Sequence, residues 1–184
     1  MFRPIVTGTR FVLVLAQASI VACASTGTPT PHEQSTYIPG TRGAMTITGG
    51  SAPHVKRVAA PLDVVWRAIP GAFDSLSIPI SLIDPKARIV GNEGFKIRQR
   101  MGSTRLSAYI ECGDTQGGPN ADSYEVYLTV MTQVEAEGAT QSKVTTTITA
   151  AAKPLQFAQE FSRCSTKDVL EAKIAQAIEA RVRR

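Results

Sequence analysis

The chain is poor in the residues that carry most enzyme chemistry. It has two histidines, three cysteines and one tryptophan in 184 residues. There is no C-x-x-C, so neither a thioredoxin-like redox site nor a zinc site of paired cysteines is suggested. His32 lies in a polar stretch near the N-terminus, and His54 stands alone farther on. Gly102-Ser103 lacks the G-x-S-x-G surroundings of an activated serine, and a nucleophile without a nearby base stays weak. Gly49-Gly50 begins no phosphate-binding loop. Asp114, Asn120 and Asp122 share one loop but lack calcium-loop spacing, and turn formation explains them more simply. Glu111, Asp114 and Glu125 are the acids that would have to pair for acid-base work, and the pattern scatters them over solvent-facing positions. The expectation is a non-enzymatic chain with no catalytic residue, metal or cofactor.

Also missing is any apolar run near the roughly 20 residues that span a bilayer. The longest, Phe11 to Ala22, is broken only by Gln17 and Ser19 and follows Arg3 and Arg10, which is the build of a secretory signal peptide. It ends in Ile20-Val21-Ala22-Cys23, which resembles the lipobox of bacterial lipoprotein precursors, with aliphatic Ile20 and small Ala22 ahead of the cysteine. The resemblance implies cleavage before Cys23 and acylation of its thiol and its new amino group. Each buried CH₂ contributes about 0.8 kcal/mol, so one chain binds marginally while two or three hold a domain to the membrane. Ala24, rather than Asp, after the cysteine resembles a Gram-negative outer-membrane sorting signal, which places the domain on an outer membrane facing the periplasm.

The formal charge is +5, of which Arg3 and Arg10 would leave with residues 1–22. The remaining +3 and the export signal argue against a nucleic-acid partner. With Cys23 used for lipid, Cys112 and Cys164 remain as an even pair in an oxidising compartment, where a disulfide is expected. It would close a loop of about 50 residues and, through loop-closure entropy, stabilise the fold by roughly 4 kcal/mol. Two free buried thiols are the competing reading.

Residues 23–44 are rich in Ser, Thr, Pro and Gly and read as the lipidated cysteine and a disordered tether. A single domain follows over 45–184. Short strands are expected at Met45–Thr48 and His54–Val58, around the Gly49-Gly50-Ser51 break. A helix opening at Pro61 carries Leu62, Val65, Trp66, Ile69, Phe73 and Leu76 on one stripe, kinked or split at Pro70-Gly71. Trp66 reads as a core anchor. Past Pro79 the period becomes two, with strands on either side of Asp84-Pro85-Lys86. Phe95 to Met101 and Leu106 to Cys112 are expected to form a hairpin about Gly102-Ser103, with Cys112 on the core side. Tyr124–Val130 and Val144–Ala150 form another pair. Ser165 to Asp168 has the spacing of a capping box, ahead of a helix that buries Leu170, Ile174, Ala177 and Ile178. Cys164, just before that helix, would pin it to the sheet. The order gives an α+β fold, an antiparallel sheet with helices packed on one face.

The stretch Ala60-Pro61-Leu62-Asp63-Val64-Val65-Trp66, with Ile78-Pro79-Ile80, Asp84 and Ile89-Val90-Gly91, resembles the helix-then-hairpin unit of helix-grip lipoprotein domains. The C subunit of the outer-membrane β-barrel assembly machine is an example. The resemblance implies a non-enzymatic role, so no catalytic residue carries over. Two functions fit. One is an interaction or scaffold module that docks on an envelope protein. The other is a small-ligand or lipid-binding module holding an apolar ligand between the sheet and the C-terminal helix. Alternation sets Lys96, Arg98 and Arg100 on the face opposite Phe95 and Ile97, and Arg105 extends the row. The result is a basic stripe on the sheet face away from the helices, either a solvated surface or a dock for an anionic partner.

Overall fold

The computed structural model describes residues 33–37, 44–48, 52–156 and 159–184. The signal segment, Cys23, His32, most of the tether and the Gly49-Gly50-Ser51 break lie outside the described residues. Strands β1 (Glu33–Tyr37) and β2 (Ala44–Thr48) pair antiparallel, Glu33 opposite Thr48. β2 is the strand expected at Met45–Thr48. β1 falls in the stretch read as tether, where no alternation of apolar residues signals a strand.

The order then continues through β3 (His54–Val58), α1 (Leu62–Ser75), β4 (Leu82–Asp84), β5 (Ile89–Arg98), β6 (Arg100–Met101), β7 (Thr104–Arg105), β8 (Ile110–Glu111), β9 (Asp114–Thr115) and β10 (Gly118–Pro119). It closes with α2 (Asn120–Ser123), β11 (Glu125–Ala136), β12 (Ser142–Lys153), β13 (Ser162–Thr166) and α3 (Val169–Val182). Seven strands form one antiparallel sheet in the order β4-β5-β11-β12-β13-β8, with β3 also on β12. The architecture is α+β, with the long helices on one face of the sheet.

β11 and β12 pair along their whole length, from Glu125 opposite Lys153 to Ala136 opposite Ser142. Alternation puts Val126, Leu128, Val130 and Val134 of β11, and Val144, Ile148 and Ala150 of β12, in the buried cluster. Thr132 and Thr146 are also buried on this face, directly opposite each other, and their hydroxyls share a hydrogen bond of 3.1 Å. Each polar group is thereby satisfied inside an apolar core.

α1 buries Val65, Ile69, Ala72 and Phe73. It runs unbroken through Pro70 rather than splitting there, and Pro61 is its N-cap rather than its first residue. A Cβ on Gly71 would lie 2.6 Å from Arg181 Nε, so the absence of a side chain lets α1 and α3 approach closely. Trp66 packs against the core while remaining partly exposed, and the Arg88 guanidinium lies over its ring at 5.6 Å. The same guanidinium meets Asp63 at 3.1 Å. Asp84 Oδ1 accepts from the backbone N–H groups of Lys86 and Ala87, at 2.8 and 3.0 Å, which closes the turn before β5.

Two expectations fail locally. The long hairpin across Gly102-Ser103 shrinks to β6 and β7, because Gln99 takes a left-handed φ of 60° and Leu106–Ala108 coils into a 3₁₀ turn. Tyr109 and Ile110 are then both buried, which strict alternation forbids. Ser165 to Asp168 is no capping box: Ser165 and Thr166 belong to β13, and Asp168 at the N-cap makes no side-chain capping bond. α3 buries Leu170, Glu171, Ile174, Ala175 and Ile178, with Ala177 only partly covered.

Cys112 and Cys164 form a disulfide, S–S 2.01 Å, across a sequence separation of 52. It joins β13 to the residue just past β8 rather than helix to sheet. Ser165 pairs with Glu111 and Thr166 with Ile110, and the next step of that register sets Cys164 opposite Cys112. Replacing both cysteines with serine is expected to cost about 2–4 kcal/mol, a fall in thermal midpoint of roughly 5–15 °C. Melting curves before and after reduction test this, and an unchanged midpoint would show that the bridge adds nothing.

Candidate functional site

Three charged clusters emerge. The first lies on the sheet face away from the helices, where the sequence placed its basic stripe. β11 runs between β5 and β12, so Glu125 has Arg98 opposite on one side and Lys153 on the other. Its carboxylate meets Arg98 at 3.2 Å, Lys96 at 3.3 Å and Lys153 at 3.8 Å. The Glu125 side chain is 11% exposed, against 56% for Lys96 and 58% for Arg98. Burial alone would raise the Glu125 pKa, but hydrogen bonds from Arg98 and Lys96 and the charges of Lys96 and Lys153 hold it below the usual value. Tyr127 and Phe161 meet edge to face at 5.4 Å beside it, with Lys96 over the first ring and Lys153 over the second. Lys96 and Arg98 therefore already serve an internal carboxylate, which the alternation pattern did not reveal.

The second cluster separates Arg100 and Arg105 from that row. The left-handed turn at Gln99 ends pairing with β11, and Arg100 instead stands directly opposite Arg105 across β6 and β7. Gln99, Arg100, Arg105 and Asp122 line an open cleft of about 230 Å³. Asp122 accepts from the Ser107 N–H at 2.9 Å and from its hydroxyl at 2.7 Å, and it lies 3.7 Å from Arg105. Burial pushes its pKa up, but the two Ser107 hydrogen bonds, Arg105 and Arg100 outweigh that and hold it low. The expected row of four cations is thus two groups, each with its own acid.

The third cluster lies under α3. Glu171 is 2% exposed, and its Oε2 has no hydrogen-bond partner among the described residues. Desolvation raises its pKa and Asp168 adds to the rise, while its own backbone N–H, Thr166 and His54 oppose it. The signal was available: 171 falls on the face of Ile174, Ala175 and Ile178 at helical spacing, where a carboxylate breaks the apolar pattern.

The acids considered for acid-base work are dispersed. Glu111 accepts from the Gly113 N–H and pairs with Lys167 at 3.2 Å, Asp114 is an exposed residue of β9, and Glu125 is enclosed by cations. Asn120 is buried and donates to the Cys112 carbonyl at 3.2 Å, a structural bond within its loop. Among the described residues, no group of three His, Cys, Asp or Glu could hold a metal ion, and no helix is long and apolar enough to cross a membrane. Cys23 lies outside the described residues. No protein-family model and no curated protein matches the chain.

Glu171 yields a pH prediction. A raised folded-state pKa means that the fold prefers the protonated acid, so its contribution is fully present below the ordinary value near 4.5 and is lost as pH rises through the folded value. Glu171→Gln is expected to remove that loss. The thermal midpoint of the variant minus that of the wild type should climb as pH rises from 4.5. Parallel midpoint curves for the two proteins would show that Glu171 titrates normally.

Proposed function

We propose that the protein is a membrane-anchored envelope lipoprotein whose domain works as a non-enzymatic docking module. Acyl chains on Cys23 tie it to the membrane, and in a Gram-negative cell the domain faces the periplasm from the outer membrane. The observation that carries this reading is the Cys112–Cys164 bridge, which ties β13 of the main sheet to the residue that follows β8. Such a bond persists in an oxidising compartment, the destination that the Ile20-Val21-Ala22-Cys23 segment specifies. Two surface clusters that expose Lys96, Arg98, Arg100 and Arg105 supply a face on which an envelope partner can dock. Carriage of an apolar ligand is the weaker reading, because Leu170, Ile174 and Ile178 of α3 share one buried cluster with Val144 and Ile148 of β12.

The anchor is tested directly. Mass spectrometry of the mature protein is expected to find an acylated Cys23 as the first residue, and Cys23→Ser is expected to move the domain from the membrane to the soluble fraction. An unmodified Cys23, or a mature terminus elsewhere, ends the lipoprotein reading. Crosslinking in intact envelopes tests docking: the wild-type chain should yield at least one discrete crosslinked partner.

A further inference from the structure

We infer that the Arg100–Arg105 cleft is the recognition point of this module and that it takes a side-chain carboxylate from an acidic segment of a protein partner. The inference rests on the docking reading and names the place and the chemistry. Two arginines directly opposite on a hairpin repel each other, an arrangement that calls for an anion between them. Asp122 supplies it only in part. Its two oxygens are held by Ser107, at 2.9 and 2.7 Å, and it stands 3.7 Å from Arg105. One carboxylate thus faces two guanidinium groups, and the cleft keeps one uncompensated positive charge.

Arg100 donates to the Ser103 carbonyl at 2.8 Å, which braces it against the turn, and Arg105 is 67% exposed. The Gln99 carbonyl, in a residue at φ 60°, accepts from the Leu106 N–H at 2.9 Å across the hairpin, and Gln99 belongs to the same lining. The cleft of about 230 Å³ is below the roughly 300 Å³ at which sites for larger ligands begin, so it suits one head group rather than a whole small molecule. A planar carboxylate matches both the single residual charge and the fork geometry of arginine. A lipid surface fits less well. Adsorption to anionic bilayers uses clusters of about four to eight basic residues, whereas Lys96, Arg98 and Lys153 converge on Glu125.

The test is a titration of the full chain followed by the Nε–Hε resonances of its arginines. The probes are acetyl-triglutamyl-amide, its glutamine counterpart, and phosphatidylglycerol vesicles. Saturable shifts at Arg100 and Arg105 are expected with the glutamate peptide alone. Arg105→Lys keeps the charge and loses the fork, and should weaken binding about tenfold. Lys86→Gln, at an exposed position in the turn before β5 and away from the cleft, should leave it within about twofold. Equal response to the glutamine peptide, undiminished binding by Arg105→Lys, or Arg100-dependent binding of vesicles without a peptide response would each overturn the inference. In intact envelopes, an Arg100→Gln, Arg105→Gln double variant should lose the partner crosslink. If it is retained, the cleft is not the recognition point while docking stands; if the wild type itself gives no crosslink, the docking reading fails.

Discussion

The register of β11 on β12 is the constraint on which the rest of the domain depends. Twelve consecutive pairs fix which side of each strand meets the helices. A slip of one residue would turn Val126, Leu128 and Val130 to the outer face and drive Glu125, Tyr127 and Gln133 into the core, reversing both surfaces at once. The buried Thr132–Thr146 hydrogen bond strengthens that register, because either hydroxyl would lose its partner if the strands shifted. β5 then pairs on β11 with a bulge between Leu128 and Val130. At that bulge Gly91 approaches Val130 so closely that a Cβ would collide with its carbonyl oxygen, so only glycine keeps the two strands paired there.

The same register organises the charges. Because β11 lies between β5 and β12, any acid at position 125 is flanked by whatever stands at 98 and 153, and here both are cations. Exposed ion pairs contribute little singly, typically below about 1 kcal/mol. Several cations around one buried carboxylate behave differently, since removing Glu125 would leave Lys96, Arg98 and Lys153 facing one another with no acid between them. This face is consequently less basic than its lysines and arginines suggest.

Between β5 and β11 the chain makes an excursion, residues 99–124, with little regular structure of its own. It is fastened at several points. The disulfide ties Cys112 to β13, Asp122 binds Ser107, Lys167 donates to the Ser107 carbonyl at 2.8 Å, and the Lys167 N–H reaches the Tyr109 carbonyl at 2.9 Å. A segment with so few ladder bonds gains most from covalent closure, which removes much of the entropy open to it when unfolded. The excursion carries the Arg100–Arg105 cleft, so the bridge also steadies the surface through which we propose that the module acts.

Periodicity alone revealed the α+β class, the α1 and α3 stripes, the β11 and β12 core faces and the turn at Asp84, because each rests on local spacing that any packing must respect. Even the pairing of Cys112 with Cys164 was expected from an even count once Cys23 was set aside. Where the sequence reading failed, the deciding contact lay far along the chain. Gln99 turns left-handed and Leu106–Ala108 coils, although their residues alternate like a strand, because the excursion must reach β13. The basic row was read as continuous because alternation reports the face of a side chain and not its partner. That Glu125 collects three cations, that Asp122 sits beside Arg105, and that the charge of His54 acts on Glu171 are facts of strand order and helix placement, and only the tertiary structure decided them.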